Sequence, residues 1–328
     1  MTGRINVSDF NLALTLECGQ AFRWSRHGGD GWFEGVVGRE IWRLRQTGDV
    51  LETEMEVPAL PKSTAVATMH DPPDDNARIR RYLALNASLP HITATFPAED
   101  KHLHAAVQKH WGMRVLRQEP WECLASFIAS STKQIVQIRQ IVAELSRRFG
   151  EPLAAFGRGA VPRVRGRAAA QPYHVGGRDE PRPYRFPSVD VIARASHTDL
   201  WNCKLGFRAK NLLAAARMID SGKVELHGLP AMEYERALEE LLKLPGVGEK
   251  IANCTLLFSC GFDQAFPVDV WIERALRRLY FPHRKVTARQ LRDFAHSHFG
   301  PYAGWAQQYL FFNERTAARG GRNAAPQN

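Results

Sequence analysis

LLKLPGVGEKIANCTLLFSCGFDQAFPVDVWIER, from Leu241 to Arg274, is the stretch whose reading decides the fold. An apolar helix ends at Leu244, a Pro245-Gly246-Val247-Gly248 turn follows, and Lys250 opens the next helix, with Asp269 one loop later. A turn with two glycines adopts backbone conformations closed to other residues and brings its amides close to a partner. The amides of the next helix point the same way, and the helix macrodipole adds about half a positive charge there. The turn therefore predicts a phosphate cradle at Gly246, Val247 and Gly248. Lys250 stands inside the same field. An amine is nucleophilic only without its proton, a form that positive surroundings favour.

The segment closes on Ala265-Phe266-Pro267-Val268-Asp269, ahead of a helix reading VWIERALRRLY. Asp269 is a good N-cap, and capping alone would account for it. Paired with Lys250, it has a second use: a carboxylate beside the lysine could stabilise positive charge developing on a sugar as a glycosidic bond breaks.

LPGVGEK followed by PVD resembles the helix-hairpin-helix, Gly/Pro-rich, aspartate motif of base-excision DNA glycosylases, and the lysine implies their bifunctional glycosylase/lyase branch. A lone LPGVG also occurs in hairpins that bind DNA without catalysis. Four further segments narrow the resemblance to the 8-oxoguanine DNA glycosylase family. ECGQAFRW (Glu17 to Trp24) resembles a family strand, RQEPWECLASFIASS (Arg117 to Ser131) a family helix, LGFRAKNL (Leu205 to Leu212) a third element and GPYAGWAQQYLFF (Gly300 to Phe312) a fourth. The matches run in order along almost the whole chain.

The resemblance implies a base pocket. Gly19 would accept the N7–H that 8-oxoguanine has and guanine lacks, Gln307 would read the Watson–Crick edge, and Phe311 and Cys254 would sandwich the ring. Phe207 and Arg208 would probe the duplex, and Thr132, Gly246, Val247 and Gly248 would contact DNA. From the residues alone, Phe311 also reads as core, Cys254 as helix packing, Gly19 as a strand bulge and Gln307 as a solvated helix residue. The chain departs from the family at Thr132-Lys133-Gln134, where eukaryotic members carry an asparagine run, at Gln137 in place of an arginine, at Trp271 in place of a histidine, and at Phe207 in place of a tyrosine. These changes leave the base opposite the lesion open.

Composition agrees. The 44 Lys+Arg against 34 Asp+Glu give a formal charge of +10 and a pI near 9.6, suited to a polyanionic partner. The cysteines, at 18, 123, 203, 254 and 260, have no metal-ligand spacing, and none follows Cys260, so no iron–sulfur cluster is expected. No metal or organic cofactor is expected, apart from a monovalent cation that hairpin carbonyls could hold against a phosphate. No apolar run approaches the roughly 20 residues that span a membrane, and MTGRINVSDF lacks a signal-peptide core. A soluble, intracellular, monomeric protein is expected.

The predicted fold class is α+β: an N-terminal antiparallel β-sheet domain at 1–112, then a mainly α-helical helix-hairpin-helix domain at 113–318, with a disordered tail at 319–328. Phe10 to Met55 alternates as strands do, as in WFEGVV and EIWRLR, with Gly28 to Gly31 as a hairpin signal. Asp74 to Leu85, Glu99 to Trp111 and nearly everything from Trp121 onward have helical periodicity. A basic insertion at 157–187 interrupts this. Gly157 to Arg185 holds seven arginines, five glycines and four prolines against two acids. It reads either as a surface insertion without a role or as a tether adding sequence-independent phosphate contacts. Ser188 is expected to cap the helix that resumes.

The function these readings imply is a bifunctional base-excision enzyme acting on damaged double-stranded DNA. It would excise 8-oxoguanine through a lysine Schiff base and nick the abasic site by β-elimination. The alternatives are a glycosylase for another lesion, such as an alkylated purine, and a non-catalytic DNA-binding module.

Overall fold

The computed structural model describes residues 2–27, 29–56, 74–131, 133–153 and 183–323. Five antiparallel strands, β1 (Thr2–Asn6), β2 (Trp24–His27), β3 (Trp32–Val37), β4 (Glu40–Thr47) and β5 (Val50–Glu56), form one sheet in the order β1-β5-β4-β3-β2. Trp24 pairs with Gly35 across β2 and β3, and the absent side chain lets the indole lie flat on the neighbouring strand. The inward residues Ile5, Trp24, Phe33, Trp42, Leu44, Leu51 and Met55 form the smaller of two cores. Two short elements depart from the strand-like alternation expected between Phe10 and Met55. A six-residue helix α1 (Leu12–Glu17) is capped by Asn11, and β1 lies upstream of that range.

ECGQAFRW is correspondingly not one strand: it leaves α1 at Glu17, bends through 18–23 and enters β2 at Trp24. Helix α2 (Asp75–Tyr82) packs on the sheet, where the Tyr82 hydroxyl accepts a 2.8 Å bond from Trp24 Nε1. Helices α3 (Leu89–Ala94) and α4 (Lys101–Lys109) instead give Leu89, Ile92 and Leu103 to the larger helical core. A sequence boundary at 112 therefore does not divide the two cores, because periodicity finds an apolar face without naming what covers it.

The helical body is built around α5 (Pro120–Ser130), buried along almost its whole length and capped by the Glu119 carboxylate. Around it stand α6 (Ile135–Phe149), α7 (Val189–Arg194), α8 (His197–Leu200), α9 (Arg208–Asp220), α10 (Tyr234–Leu242), α11 (Glu249–Thr255), α12 (Val270–Tyr280), α13 (Ala288–Phe299) and α14 (Ala303–Asn323). Helix α14 carries the backbone past 318, the position at which the sequence suggests a tail. Residues 324–328 lie outside the described residues.

Residues 154–182, which include most of the insertion at 157–187, also lie outside the described residues, but the backbone on either side of them meets. Leu153 donates to the Pro183 carbonyl and Arg185 to the Glu151 carbonyl, each at 2.8 Å. Ser188 does occupy the N-cap of α7, yet its hydroxyl donates to the Asp190 carboxylate rather than receiving a backbone amide.

The two cores are tied together by one fully buried side chain. Gln20 Nε2 donates to the Arg114 carbonyl (2.7 Å) and the Thr15 carbonyl (3.0 Å), while its Oε1 accepts from Leu116 N (2.8 Å). Gln118 Nε2 donates to the Gln20 carbonyl at 2.8 Å. Gly19 is thereby held against the helical body.

Candidate active site

A cavity of about 830 Å³ opens where α5, α11, α12 and α14 converge with the bend at Gly19. Lys250, Asp269, Gly19, Cys254, Gln307 and Phe311 all line it. Residues from four separate stretches of sequence thus meet in one place.

Helix α11 places two of them. Lys250 sits in its first turn, half-buried, with Nζ 3.4 Å from Ser130 Oγ and 4.8 Å from the centroid of the Phe127 ring. One turn on, the buried Cys254 thiol is pushed up to about 11 by desolvation, against the opposing pull of Lys250. It packs as a neutral apolar surface.

Asp269 caps α12: one carboxylate oxygen accepts from Trp271 N at 3.0 Å and Ile272 N at 2.9 Å. Desolvation raises its pKa from the ordinary aspartate value, while these amides and the charge of Lys250 act in the other direction. Capping and facing Lys250 are therefore not competing accounts of Asp269.

Helix α14 presents Gln307 and Phe311 one turn apart. Gln307 is buried; its Nε2 donates to the Pro267 carbonyl at 3.1 Å, and its Oε1 has no hydrogen-bond partner in the protein. Gly19 has φ +97°, and a Cβ on it would stand 2.7 Å from both Arg315 Nη1 and Ile135 Cδ1. The backbone there favours glycine, and a side chain would have to displace the ends of Arg315 and Ile135.

Among the described residues, the nominated DNA contacts lie outside the cavity. In the hairpin between α10 and α11, Gly246 has φ +78°, and a Cβ there would overlap the Asn211 side chain at 2.5 Å. Gly248 faces open space. The Val247 side chain is buried in the core, so only its backbone is available to a phosphate. Phe207 is exposed, whereas Arg208, expected to probe the duplex, is buried. Its guanidinium donates to the Leu205 carbonyl at 3.1 Å and to the Ser131 carbonyl, with the Phe207 ring 4.3 Å away. Arg208 here braces the turn that carries Phe207. Thr132 lies outside the described residues.

Several cavity residues escaped the sequence reading: Phe22, Phe127, Ser130, Gln308, Arg274 and Arg315. Gln308 and Arg315 flank Gln307 and Phe311 on α14, but only the meeting of that helix with the bend at Cys18 and Gly19 reveals them. Lys133, Gln134 and Trp271, all at or beside positions of departure from the family, also line the cavity.

Residues 4–124 match the family described as 8-oxoguanine DNA glycosylase, N-terminal domain, and residues 125–299 match the HhH-GPD superfamily base excision DNA repair protein. The chain is 28% identical to an N-glycosylase/DNA lyase of Arabidopsis thaliana over 96% of this chain and 80% of that protein. Its structure is similar to that of an 8-oxoguanine glycosylase/lyase from Clostridium acetobutylicum in the apo form, with a TM-score of 0.78 at 28% identity over 95% of each chain. The same Clostridium protein in complex with double-stranded DNA containing cytosine opposite 8-oxoguanine also gives a TM-score of 0.78, at 27% identity over 97% of this chain and 98% of that one. Among the described residues, no helix is long and apolar enough to cross a membrane.

Proposed function

Because the chain belongs to the HhH-GPD superfamily of base excision DNA repair proteins, with the N-terminal domain of 8-oxoguanine DNA glycosylases, we propose that its cavity receives a flipped 8-oxoguanine nucleotide and that Lys250 attacks it. The enzyme excises 8-oxoguanine from duplex DNA and cleaves the resulting abasic site. The observation that carries this reading is the convergence of Lys250, Asp269, Gly19, Cys254, Gln307 and Phe311 on one cavity.

A base stacked in a duplex cannot expose its glycosidic bond to an amine, so the nucleotide must leave the stack. In the proposed reaction Lys250 Nζ bonds to C1′ as the C1′–N9 bond breaks, and the bonding pair leaves with the base, which is then protonated. The half-buried Asp269 carboxylate stabilises the positive charge that builds on the sugar. Ring opening gives a Schiff base on Lys250. Loss of a C2′ proton then expels the 3′ phosphate, and water releases the lysine.

No redox or organic cofactor enters these steps. A monovalent cation held by carbonyls of the 243–248 turn would serve the grip on a phosphate rather than bond breaking. We place the enzyme with genomic DNA, in the cytoplasm and nucleoid or in the nucleus, acting as a monomer.

Borohydride trapping tests substrate and nucleophile together, on duplexes carrying 8-oxoguanine or an alkylated purine opposite each of the four bases. Wild type is expected to form a covalent adduct with 8-oxoguanine DNA, and Lys250→Gln none. Alkyl-base release without an 8-oxoguanine adduct would replace this substrate, and full activity of Lys250→Gln would remove the lysine mechanism.

A further inference from the structure

We infer that Gln308 is a second reader of the flipped base, donating from its Nε2 to O6 of the oxidised guanine, an assignment that rests on the glycosylase reading above. Gln307 gives the frame. Its Nε2 is committed to the Pro267 carbonyl, which can only accept, so the orientation of the amide is fixed and the end left over is Oε1. That oxygen is an acceptor and suits the N1–H of the base. Gly19 lines the same cavity, and its carbonyl, likewise an acceptor, suits N7–H.

On an oxidised guanine, O6 lies between N7–H and N1–H, so the edge runs donor, acceptor, donor. A complementary wall must run acceptor, donor, acceptor, and two acceptors are already assigned. Gln308 stands where the donor is required. It follows Gln307 on α14, lines the same cavity, is only 2% exposed, and lies against the Cys18 thiol, next in chain to Gly19. Among the described residues, its Nε2 meets no oxygen or nitrogen acceptor within hydrogen-bond distance; only the Cys18 sulfur, a weak acceptor, lies near it, and an amide nitrogen has two hydrogens to place. A buried amide donor left unmatched is costly, and a base carbonyl would match it.

The groups around Gln308 have stronger partners than its amide. The Cys18 thiol donates to the Thr15 carbonyl at 3.2 Å and accepts from Gln20 at 3.1 Å. Arg315 Nη1 donates to the Cys18 carbonyl at 3.0 Å, which pins the backbone that aims Gly19. Arg315 thus positions the acceptor, and Gln308 supplies the donor between the two acceptors.

The test compares wild type with Gln308→Met, close in shape but without a donor, and with Gln308→Leu as a second packing solution. Single-turnover release of 8-oxoguanine at saturating enzyme should fall about tenfold or more, the scale of losing one hydrogen bond to a buried group. Borohydride trapping on a preformed abasic site, which has no base to read, should proceed at the wild-type rate. Unchanged 8-oxoguanine release in both variants overturns the assignment, and so does an equal loss on abasic DNA, the mark of a structural role. Wild-type enzyme that traps on abasic DNA but releases no 8-oxoguanine overturns the substrate reading instead.

Discussion

At the scale of single residues, Asp269 caps a helix with the same carboxylate that the proposed reaction uses to stabilise charge, and the two uses can be separated. Burial raises its pKa, so the folded protein holds that proton more tightly than the unfolded chain does. The ionised form therefore costs stability above the folded-state pKa, and the cost fades as pH falls through it. Asparagine also caps helices well and carries no charge. Asp269→Asn should keep or raise the melting temperature at pH 7 while base release drops roughly a hundredfold, as when an electrostatic stabiliser is lost. A marked fall in melting temperature would mean that the carboxylate acts mainly as a cap. In the proposed mechanism the same raised pKa moves the acid limb of wild-type base release above that of an ordinary aspartate, which a pH–rate profile would check. Gly19 makes a complementary prediction. A side chain at φ +97° costs about 1–3 kcal/mol, and its Cβ would meet Arg315 and Ile135. Gly19→Ala should lose most 8-oxoguanine release yet still cleave preformed abasic sites, because in the proposed complex its carbonyl reads the base and not the sugar. Equal loss on both substrates would count against that carbonyl as a base reader.

At the scale of elements, α12 links chemistry to binding. Its first residues cap the cavity, and its later turns, with the loop that follows, edge a surface groove of about 760 Å³ that shares Val270 and Arg274 with the cavity. Arg277 pairs with Glu273 and Arg278 with Glu314, whereas Arg284 and Lys285 are exposed beyond them. In the proposed complex, phosphates flanking the flipped nucleotide run along this groove or the hairpin. Replacing Arg284 and Lys285 together by alanine should weaken lesion-DNA binding several-fold and flatten its salt dependence by about 0.9 for each phosphate no longer neutralised. The single-turnover rate at saturation should not change. An unaltered salt slope would mean that this face does not contact phosphate. Elements also show what the sequence discloses. The hairpin and the Lys250–Asp269 pair are legible because their parts lie within one short segment, where turn residues and capping follow from local physics. Helix α1 is not: in six residues, LALTLE is too short for the helical period to separate from strand alternation. Strand β1 has one buried residue, Ile5, so it carries almost no pattern.

At the scale of the whole molecule, the sequence could name the pocket through its resemblance, but not close it. Gln308 and Arg315 join the site because α14 packs against the bend at Cys18, nearly the full chain length away; one bond there spans 297 residues. No local period encodes such a meeting. The basic insertion poses the opposite case, since its sequence is eloquent about charge and its ends are what the structure supplies. Residues 151–153 and 183–185 are hydrogen-bonded to each other, Trp121 Nε1 donates to the Pro187 carbonyl at 2.9 Å, and Arg23 donates to the Tyr184 carbonyl. Both ends of the insertion are therefore anchored side by side in the body. Shortening the segment between them leaves those anchors in place, and loop closure changes only slowly with length. Deleting Ala160 to Pro181 should accordingly leave the melting temperature within a few degrees of wild type. The same deletion removes four arginines and two acids. If the segment tethers DNA, affinity should fall and the slope of log affinity against log salt should flatten by up to about 0.9 for each arginine that no longer meets a phosphate. An unchanged slope in a folded, active deletion variant would reduce the insertion to surface decoration, and would leave the phosphate grip to the hairpin and to α12.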